Sequence, residues 1–337
     1  MACESWPAEE LEAVCQCPYC GGTERTLAYE GVEDWAFGCA PGLWNYWNCS
    51  DCLALILHPR PTAASIGKAY ARYYTHGDDQ RRGFMSRIKQ RLRNELWSQV
   101  FNTSIHPRLG LPRGLGWNVK GLWPWIAEPF GLRQWVQLPK GLLIDVGCGN
   151  GDKLKMAGQL GWRALGIELD AAAVQAGLAQ GLQVLQGGYE LLANYQGQAD
   201  CLVCSHVLEH VHQPLHLLEL LCAALKPDGV LLLSSPNASS QLRNHYGANW
   251  RGIEAPRHLA VPNASWLIAW LRRQGFECTQ VPSPSLETAV ESERMQRRGQ
   301  TTERVDKQAA RTLLKGFQQT SMAEQDVVQL ICQRAKQ

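Results

Sequence analysis

The residues with the clearest chemical meaning form a glycine-rich turn at 142–152, which reads LLIDVGCGNGD. An apolar run leads into Asp145, and glycines at 147, 149 and 151 precede a stretch typical of a helix from about Lys153. Glycine accepts a positive φ and lets the backbone approach a ligand closely. The first turn of a helix also presents unpaired N–H groups to an electronegative ligand. The turn alone is a weak signal of a particular ligand, since dinucleotide-binding domains use a similar loop, and the surrounding elements must decide.

A second carboxylate, Glu168, closes the next apolar run at 164–168. An acidic residue at the end of the second strand of such a fold can accept hydrogen bonds from both hydroxyls of a ribose. Glu168 is therefore the candidate ligand of an adenosine-containing molecule.

Two Cys-x-x-Cys pairs lie near the N-terminus: Cys17 and Cys20, then Cys49 and Cys52. Four thiolates at this spacing bind Zn²⁺ tetrahedrally, and a closed set of four cysteines leaves no open position, which predicts a structural zinc. The segment is too short and polar to fold without such a staple. Cys15 and Cys39 are competing ligands, and a redox pair is the other interpretation.

Apolar strands alternate with helices from residue 140 onward. We expect strands at 182–186, 201–204 and 230–234, and helices at 171–180, 208–225 and 265–274, the last capped by Asn263. Lys226-Pro227-Asp228-Gly229 predicts a turn. Strands near 277–281 and 325–332 would complete the sheet. A parallel sheet gathers ligands at the carboxyl ends of its strands, where Asp145, Glu168, Ser205 and Ser235 would meet.

The chain resembles a class I S-adenosylmethionine (SAM)-dependent methyltransferase in four segments that occur in the family's order: IDVGCGNG at 144–151, GIE at 166–168, HVLEHV at 206–211 and LKPDGV at 225–230. The resemblance covers about residues 140–280 and is highly specific. It implies an α/β fold with a Rossmann-like seven-stranded methyltransferase sheet, parallel except for an antiparallel last strand. A small N-terminal zinc ribbon with four cysteine ligands would precede this sheet.

The resemblance also implies that the glycine loop approaches the methionine part of SAM and that Glu168 holds the ribose. The cofactor-binding residues it implies are Asp145, Gly147, Cys148, Gly149, Glu168, Leu169, Tyr189 and Ser205. The chain departs from the family where an acidic residue often lies near the adenine, since it reads Gly187-Gly188-Tyr189 there. We expect Tyr189 to stack on the adenine instead.

Methyl transfer is an in-line displacement that often requires a base to take a proton from the acceptor. His206, Glu209 and His210 follow the fourth strand, and His258 lies in the loop after the fifth, which in this fold faces the transferred methyl group. In one interpretation His258 is the general base, and Glu209 and His210 brace the site. In the other, all four residues bind a divalent cation. The cation interpretation rests on a resemblance of residues 206–210 to the metal-binding Glu-x-x-Glu-His segment of ubiquinone-pathway and small-RNA 3′-end methyltransferases. In this chain His206 replaces the first Glu of that segment.

The Cys-rich segment followed by Tyr73 and Tyr74 looks like the zinc-ribbon methyltransferases of bacterial natural-product and cell-surface sugar pathways. In that group the ribbon helps to wall the substrate site, and the resemblance places Tyr73 or Tyr74 near the cofactor. We predict a zinc-ribbon module at 1–60, a helical and irregular cover segment at 61–140, and a methyltransferase domain at 141–337. A helical insert at about 285–320 would be a lid, a homodimer contact or a solvated helix.

The cover segment has two notable compositions. A basic stretch at 81–93, which includes Arg81 and Arg82, favours a solvated linker helix, with a phosphate-bearing substrate or RNA as the alternatives. Tryptophans at 107–141 predict buried packing, with a substrate pocket as the alternative. They are Trp117, Trp123, Trp125 and Trp135.

Composition narrows the range of partners. A net charge of +2 over 337 residues gives no broad electrostatic reason to bind nucleic acid. No apolar run approaches the ~20 residues of a membrane span, and the N-terminus lacks a signal pattern. The spacing of the 13 cysteines does not indicate the disulfide framework of a secreted protein. Such a distribution is expected of a protein in the reducing cytosol. We expect a cytoplasmic protein.

The sequence therefore predicts an enzyme that methylates a small-molecule acceptor, most simply an oxygen of a sugar or secondary metabolite, with His258 as general base. Methylation of carbon or nitrogen is one alternative. An rRNA or tRNA methyltransferase that uses the ribbon as a reader is another, and a non-catalytic cofactor-binding partner is a third. Ser205-His206-Val207-Leu208 stands where base-methylating relatives commonly carry Asn/Asp-Pro-Pro-Tyr, which disfavours a ring-conjugated amine.

Overall fold

The structure, a computed structural model, describes residues 5–71, 84–111, 129–283, 286–297, 307–317 and 321–335. Several predicted residues lie outside this range: Tyr73, Tyr74, Arg81, Arg82, Trp117, Trp123 and Trp125. The chain divides into two compact units. The first contains residues up to 73, 205–222 and 233–337, and the second contains 74–204 and 223–232.

A seven-stranded sheet carries the α/β fold. Its strands are β6 (Leu142–Val146), β7 (Arg163–Glu168), β8 (Gln183–Gln186), β9 (Ala199–Ser205), β10 (Leu225–Pro236), β12 (Phe276–Gln280) and β13 (Val327–Arg334). The strand order is β12-β13-β10-β9-β6-β7-β8. β6 pairs in parallel with β7 and β9, and β7 with β8, whereas β12 and β13 are antiparallel. The predicted fold class, including the antiparallel last strand, is confirmed.

The other described strands lie in the first unit. They are β1 (Leu11–Glu12), β2 (Arg25–Val32), β3 (Trp44–Cys49), β4 (Leu55–Leu57), β5 (Arg60–Pro61) and β11 (Ala260–Val261). Four of them form an antiparallel sheet in the order β11-β4-β3-β2. β11 lies about 200 residues from its partner β4, so this sheet joins two distant parts of the chain. The compact units therefore cut across the boundaries predicted near residues 60 and 140.

The helices are α1 (Phe84–Val100), α2 (Leu132–Gln137), α3 (Asp152–Gln159), α4 (Ala171–Ala179), α5 (Pro214–Ala224), α6 (Gln241–Tyr246), α7 (Ala264–Arg273), α8 (Leu286–Gln296) and α9 (Lys307–Phe317). As predicted, the Asn263 side chain caps α7 by accepting a hydrogen bond from the Trp266 N–H. Among the described residues, none of the helices combines the length and apolar character needed to cross a membrane.

Two predicted boundaries are wrong. The helix predicted at 208–225 begins only at Pro214, and Leu208–His210 form a separate 3₁₀ turn. Proline favours the first position of a helix because its missing N–H needs no partner there. The predicted turn at Lys226–Gly229 is instead the start of β10. The Lys226 ammonium lies 2.6 Å from Asp200 on the neighbouring strand, which holds this segment extended.

A hydrophobic core of the first unit combines residues from distant parts of the chain. Trp44, Tyr46 and Leu57 of the small sheet pack there with Trp250 and Leu259. The predicted insert also contributes, because α8 and α9 bury Ala289, Val290 and Ala310 in the same core. Each insert helix therefore buries part of its surface, and the lid, dimer and solvated-helix roles stay predictions.

Within the described residues, the second unit agrees with part of two predictions about the cover segment. Arg87, Lys89 and Arg91 of α1 are exposed, as expected for a solvated basic helix, while Trp97 near its end is buried. Trp135 on α2 is buried.

Candidate functional site

The glycine loop of the second unit has the predicted shape. Gly147, Gly149 and Gly151 take φ values of 68°, 52° and 76°, which favour glycine. The Gly147 N–H donates to the Ile167 carbonyl at 2.8 Å, which ties the loop to β7. A Cβ built on Gly149 would meet nothing within 4 Å. The backbone at Gly149 therefore faces open space, whereas a Cβ at Gly151 would collide with the Leu182 side chain.

Glu168 is held against this loop. Its Oε2 accepts a hydrogen bond from the Gly149 N–H at 2.8 Å, and its Oε1 accepts one from the Asp170 N–H at 2.9 Å. Each carboxylate oxygen keeps a further lone pair for a ligand hydroxyl. Leu169, directly after Glu168, is 73% exposed and offers an apolar surface beside the carboxylate.

Asp145, at the end of β6, is buried without a partner. Neither of its carboxylate oxygens has a hydrogen bond among the described residues. Burial raises the pKa of Asp145 to about 6, against the opposing charge of Lys153. A buried polar group left unpaired in this way is costly, and each such case needs an explanation such as a missing ligand.

The other predicted cofactor residues are placed as follows. Cys148 is buried, and burial raises the pKa of its thiol to about 12, so the thiol stays neutral. Tyr189 is half-buried at the start of the 3₁₀ turn Tyr189–Tyr195. Ser205 ends β9 and belongs to the first unit.

The predicted catalytic residues meet in the first unit, beginning with Glu209. Its fully buried carboxylate lies 3.1 Å from His206 Nδ1 and accepts a hydrogen bond from the Ser235 hydroxyl at 3.0 Å. Burial would raise the pKa of Glu209, but the hydrogen bond from His206 and the charges of the neighbouring histidines outweigh it and lower the pKa to about 2. Glu209 is therefore a fixed negative charge.

His210 and His258 lie edge to face, with ring centroids 4.6 Å apart. His210 Nδ1 is 3.1 Å from the Arg257 carbonyl oxygen and 3.0 Å from the Tyr70 hydroxyl. His258 Nδ1 is 2.7 Å from the Gly252 carbonyl oxygen. Because a carbonyl can only accept, we assign the proton of each neutral ring to Nδ1. The Nε2 atom of each neutral ring can then accept a proton.

His258 is suited to be neutral at physiological pH. Burial and the positive charge of His210 lower its pKa to about 4, although the carboxylates of Glu254 and Glu209 act in the opposite direction. Its side chain is almost completely buried. A neutral Nε2 is the form that a general base requires.

Glu254 is a residue that sequence reasoning missed. Its Oε2 lies 3.7 Å from His258 Nε2, so a proton accepted there would be next to a carboxylate. Glu254 and His206 both take a positive φ, 39° and 57°. Such backbone costs about 1–3 kcal/mol for a non-glycine residue and clusters at functional sites. Its position one helical turn before His258 was the only sequence signal.

The divalent-cation interpretation retains three of its four residues. Glu209, His210 and His258 each offer a ligand atom, and all three atoms lie within 4.8 Å of one another. His206 is outside this group and bonds to Glu209 instead.

The four predicted zinc ligands converge. The Sγ atoms of Cys17 and Cys52 lie 3.4 Å apart, those of Cys20 and Cys49 lie 3.5 Å apart, and all four lie within 4.8 Å of one another. Sulfurs at the corners of a tetrahedron around zinc, with bonds of ≈ 2.3 Å, are about 3.8 Å apart. The residues therefore fit a zinc ion.

The competing cysteine ligands lie outside this set. Cys15 is exposed, and the Cys39 thiol donates to the Ala69 carbonyl at 3.1 Å. Gly21, with a φ of 75°, makes the turn after the first pair.

Comparison with known proteins identifies a methyltransferase domain in this chain. A family model described as a methyltransferase domain matches residues 126–281. The ubiquinone biosynthesis O-methyltransferase of Bordetella avium is 30% identical over 164 residues, which cover 43% of this chain and 67% of that protein. The chain belongs to the class I SAM-dependent methyltransferases.

Another curated relative is matched over a shorter stretch. The ubiquinone biosynthesis O-methyltransferase of Xanthomonas campestris pv. campestris (strain B100) is 34% identical over 109 residues, 30% of this chain and 46% of that protein. The chain thus spans about half the length of this curated relative. A SAM-dependent methyltransferase of known structure from Archaeoglobus fulgidus is 16% identical and has a TM-score of 0.43, covering 60% of this chain and 91% of that chain.

Proposed function

We propose that the protein binds SAM at the glycine loop of the second unit and transfers its methyl group to an oxygen of a small-molecule acceptor, such as a sugar or a secondary metabolite. The observation that carries the proposal is the buried carboxylate of Asp145, which has no hydrogen-bond partner within the described part of the chain, beside a glycine loop whose backbone is open at Gly149. The names of the ubiquinone O-methyltransferases among the relatives support oxygen as the acceptor atom.

The residues present fit this cofactor. Glu168 would accept hydrogen bonds from the ribose hydroxyls, since both of its oxygens are already oriented by backbone N–H groups. Gly147 and Gly149 would let the backbone contact the methionine part, whose ammonium would offset the charge of Asp145. Within the second unit, Leu169 and Tyr189 would contact the adenine, and Cys148 would complete the cofactor site. When bound, SAM would supply an electrophilic methyl group on its positively charged sulfur. After transfer of the methyl group, the leaving group is the neutral thioether S-adenosylhomocysteine.

On the acceptor side, His258 is the proposed general base. It would take the proton of the acceptor hydroxyl on Nε2, because Nδ1 already donates to the Gly252 carbonyl. Glu254, 3.7 Å from Nε2, would stabilise the resulting imidazolium. His206, Glu209 and His210 would hold the arrangement in place.

We also propose a structural Zn²⁺ at Cys17, Cys20, Cys49 and Cys52, because the four sulfurs fit its tetrahedral geometry. These cysteines must stay reduced to bind zinc, which accords with the expected cytoplasmic location. A divalent cation at Glu209, His210 and His258 is the second candidate on the acceptor side, favoured by the proximity of their ligand atoms. Dependence of turnover on added Mg²⁺ or Mn²⁺, with zinc retained, would distinguish it from the base.

The proposed function can be tested with SAM that carries a labelled methyl group. The full chain is incubated with the deproteinised small-molecule fraction of the source cells and, in parallel, with total RNA. We expect label in one or a few small molecules, at an oxygen identified by mass spectrometry and NMR, and none with His258→Asn. Transfer of label to RNA alone would overturn the proposal.

A further inference from the structure

A buried chain of charges links the N-terminal segment to the loop that carries the two histidines. The Arg257 side chain is fully buried. Its Nη2 lies 2.6 Å from Asp34 Oδ1 and its Nη1 lies 3.2 Å from Asp34 Oδ2. Its Nε donates to Glu254 Oε1 at 3.0 Å. One guanidinium therefore bridges an acidic residue before β3 and the acidic residue beside His258.

The Asp34 carboxylate also has several hydrogen-bond partners. Besides the guanidinium, its carboxylate accepts hydrogen bonds from the N–H groups of Phe37, Cys39 and Ala40, all at about 3.0–3.1 Å. Arg257 also donates to the Ala69 carbonyl at 2.8 Å. The Asp34 side chain thus fixes the position of the Arg257 guanidinium relative to the 34–40 loop.

Backbone atoms of the same loop orient both histidines. The Arg257 carbonyl is one of the two contacts of His210 Nδ1, beside the Tyr70 hydroxyl. The buried Tyr46 hydroxyl on β3 contacts the carbonyl oxygens of Ile253 at 3.1 Å and His258 at 2.9 Å. Pairing of β4 with β11 continues this attachment, because the Leu57 N–H donates to the Leu259 carbonyl at 3.0 Å. Both sides of the 252–259 loop are therefore fixed by the N-terminal segment.

Stability alone is a poor reason for such an arrangement. A buried ion pair gains little over well-packed apolar side chains, because desolvation offsets the attraction. A bidentate pair does, however, impose a direction and a distance that apolar contacts do not. The charges of Asp34, Glu254 and Arg257 therefore serve to fix the positions of the groups that they join.

We infer that Asp34, Tyr46 and Arg257 are positioning residues for the proposed reaction, which hold His210 and His258 as Nδ1–H tautomers with Nε2 left to accept. The inference rests on the proposed function only for the role of the two rings, since the contacts themselves are independent of it. The N-terminal cysteine module is then part of the acceptor-side machinery rather than a separate reader of nucleic acid.

The tautomers can be measured without knowing the acceptor. In the zinc-loaded full chain with ¹⁵N-labelled histidine, two-bond ¹H–¹⁵N correlations distinguish Nδ1–H from Nε2–H rings. His210→Gln and His258→Gln assign the two signals. In the wild type we expect both rings to carry the proton on Nδ1. In Asp34→Asn we expect His210 to be no longer present as the Nδ1–H tautomer alone. The matched control is Glu12→Gln, which breaks the partly exposed Glu12–Arg60 pair in the same segment and should change neither ring.

Two further readouts separate positioning from folding. Asp34→Asn should bind S-adenosylhomocysteine within about twofold of the wild type, while kcat falls roughly tenfold to a hundredfold at unchanged KM for SAM. If Asp34→Asn does not fold, Tyr46→Phe removes a single hydroxyl and should shift the His258 signals. A folded Asp34→Asn protein with both wild-type tautomers would overturn the inference. If no acceptor is methylated, the proposed function fails, but the tautomer measurement still decides this inference.

Discussion

The cofactor loop and the histidine cluster are built in opposite ways. Gly149 and Glu168, which are hydrogen-bonded in the second unit, are 19 residues apart in the chain. Asp34 and Arg257, which are paired in the first unit, are 223 residues apart. The loop offers backbone N–H groups that any suitable turn provides, whereas the cluster depends on side chains that only the complete fold brings together. A local motif can therefore reveal a cofactor but not the substrate.

The two regions also differ in how their charges are satisfied. Asp145 lacks a hydrogen-bond partner among the described residues, so its carboxylate needs a donor or a positive charge from a ligand. Asp34, Arg257 and Glu254 satisfy one another, so the acceptor side is already organised. If this contrast is correct, changes in the first unit should alter turnover or folding, and changes in the second should alter cofactor binding.

The largest expected effect comes from a zinc ligand. Cys49→Ser should reduce bound zinc from one ion per chain to nearly none and unfold the N-terminal part of the first unit, because structural zinc contributes on the order of 10 kcal/mol to such modules. Metal analysis and limited proteolysis measure both. Cys15→Ser, an exposed cysteine outside the four, is the control and should retain zinc. Full zinc in Cys49→Ser would refute the four-cysteine site.

Loss of the proposed base should affect only the acceptor side. His258→Ala should lower product formation by about 10²–10⁴-fold while leaving the affinity for SAM nearly unchanged, because general-base catalysis has this magnitude. Turnover and calorimetry measure the two quantities. His216→Ala, which removes a half-exposed histidine from the same unit, should behave as wild type. Retained turnover in His258→Ala would remove His258 from the mechanism.

Asp145 should make the ligand-free protein less stable as the pH rises. Its pKa in the folded protein, about 6, is above its ordinary value of 3.8, so the charged form is disfavoured by folding. The penalty is absent below about pH 4, develops through pH 6 and reaches about 3 kcal/mol above pH 7. Asp145→Asn should therefore raise the melting temperature at pH 8 but not at pH 4, while it weakens SAM binding.

Thermal melts of both proteins across this range test the Asp145 prediction. Asp152→Asn changes an exposed carboxylate in the same loop and should give no pH-dependent difference. A stability difference between wild type and Asp145→Asn that does not vary with pH would contradict a buried, unpaired charge at Asp145.

The smallest of these effects concerns Glu168. Glu168→Gln should weaken binding of S-adenosylhomocysteine by about tenfold to a hundredfold, since a hydrogen bond to a charged group contributes about 1.5–3 kcal/mol. Glu190→Gln, an exposed neighbour in the same unit, should leave the affinity unchanged. Equal affinity in Glu168→Gln and wild type would exclude Glu168 as the ribose ligand.

Several parts of this protein could be predicted because their signals are local. The glycine positions require positive φ, and Asn263 caps its helix within three residues. The Cys-x-x-Cys spacing fixes each half of the metal site. In all these cases the physical cause and the structural effect lie within a few residues of each other.

The remainder depends on long-range packing. The pairing of β4 with β11 and the Asp34–Arg257 bridge have no counterpart in local sequence patterns. The helix after β9 was predicted too early because apolar periodicity at 208–225 masked the start signal of Pro214. The start of β10 was misjudged because proline and glycine, which end helices, are compatible with an extended chain.

Calorimetric titration of the zinc-loaded full chain with SAM and with S-adenosylhomocysteine measures the proposed cofactor site directly. We expect saturable binding of one molecule of either ligand per chain, weakened by Glu168→Gln and unaffected by His258→Ala. Pure, folded protein that gives no heat with either ligand, and no thermal stabilisation, would contradict it.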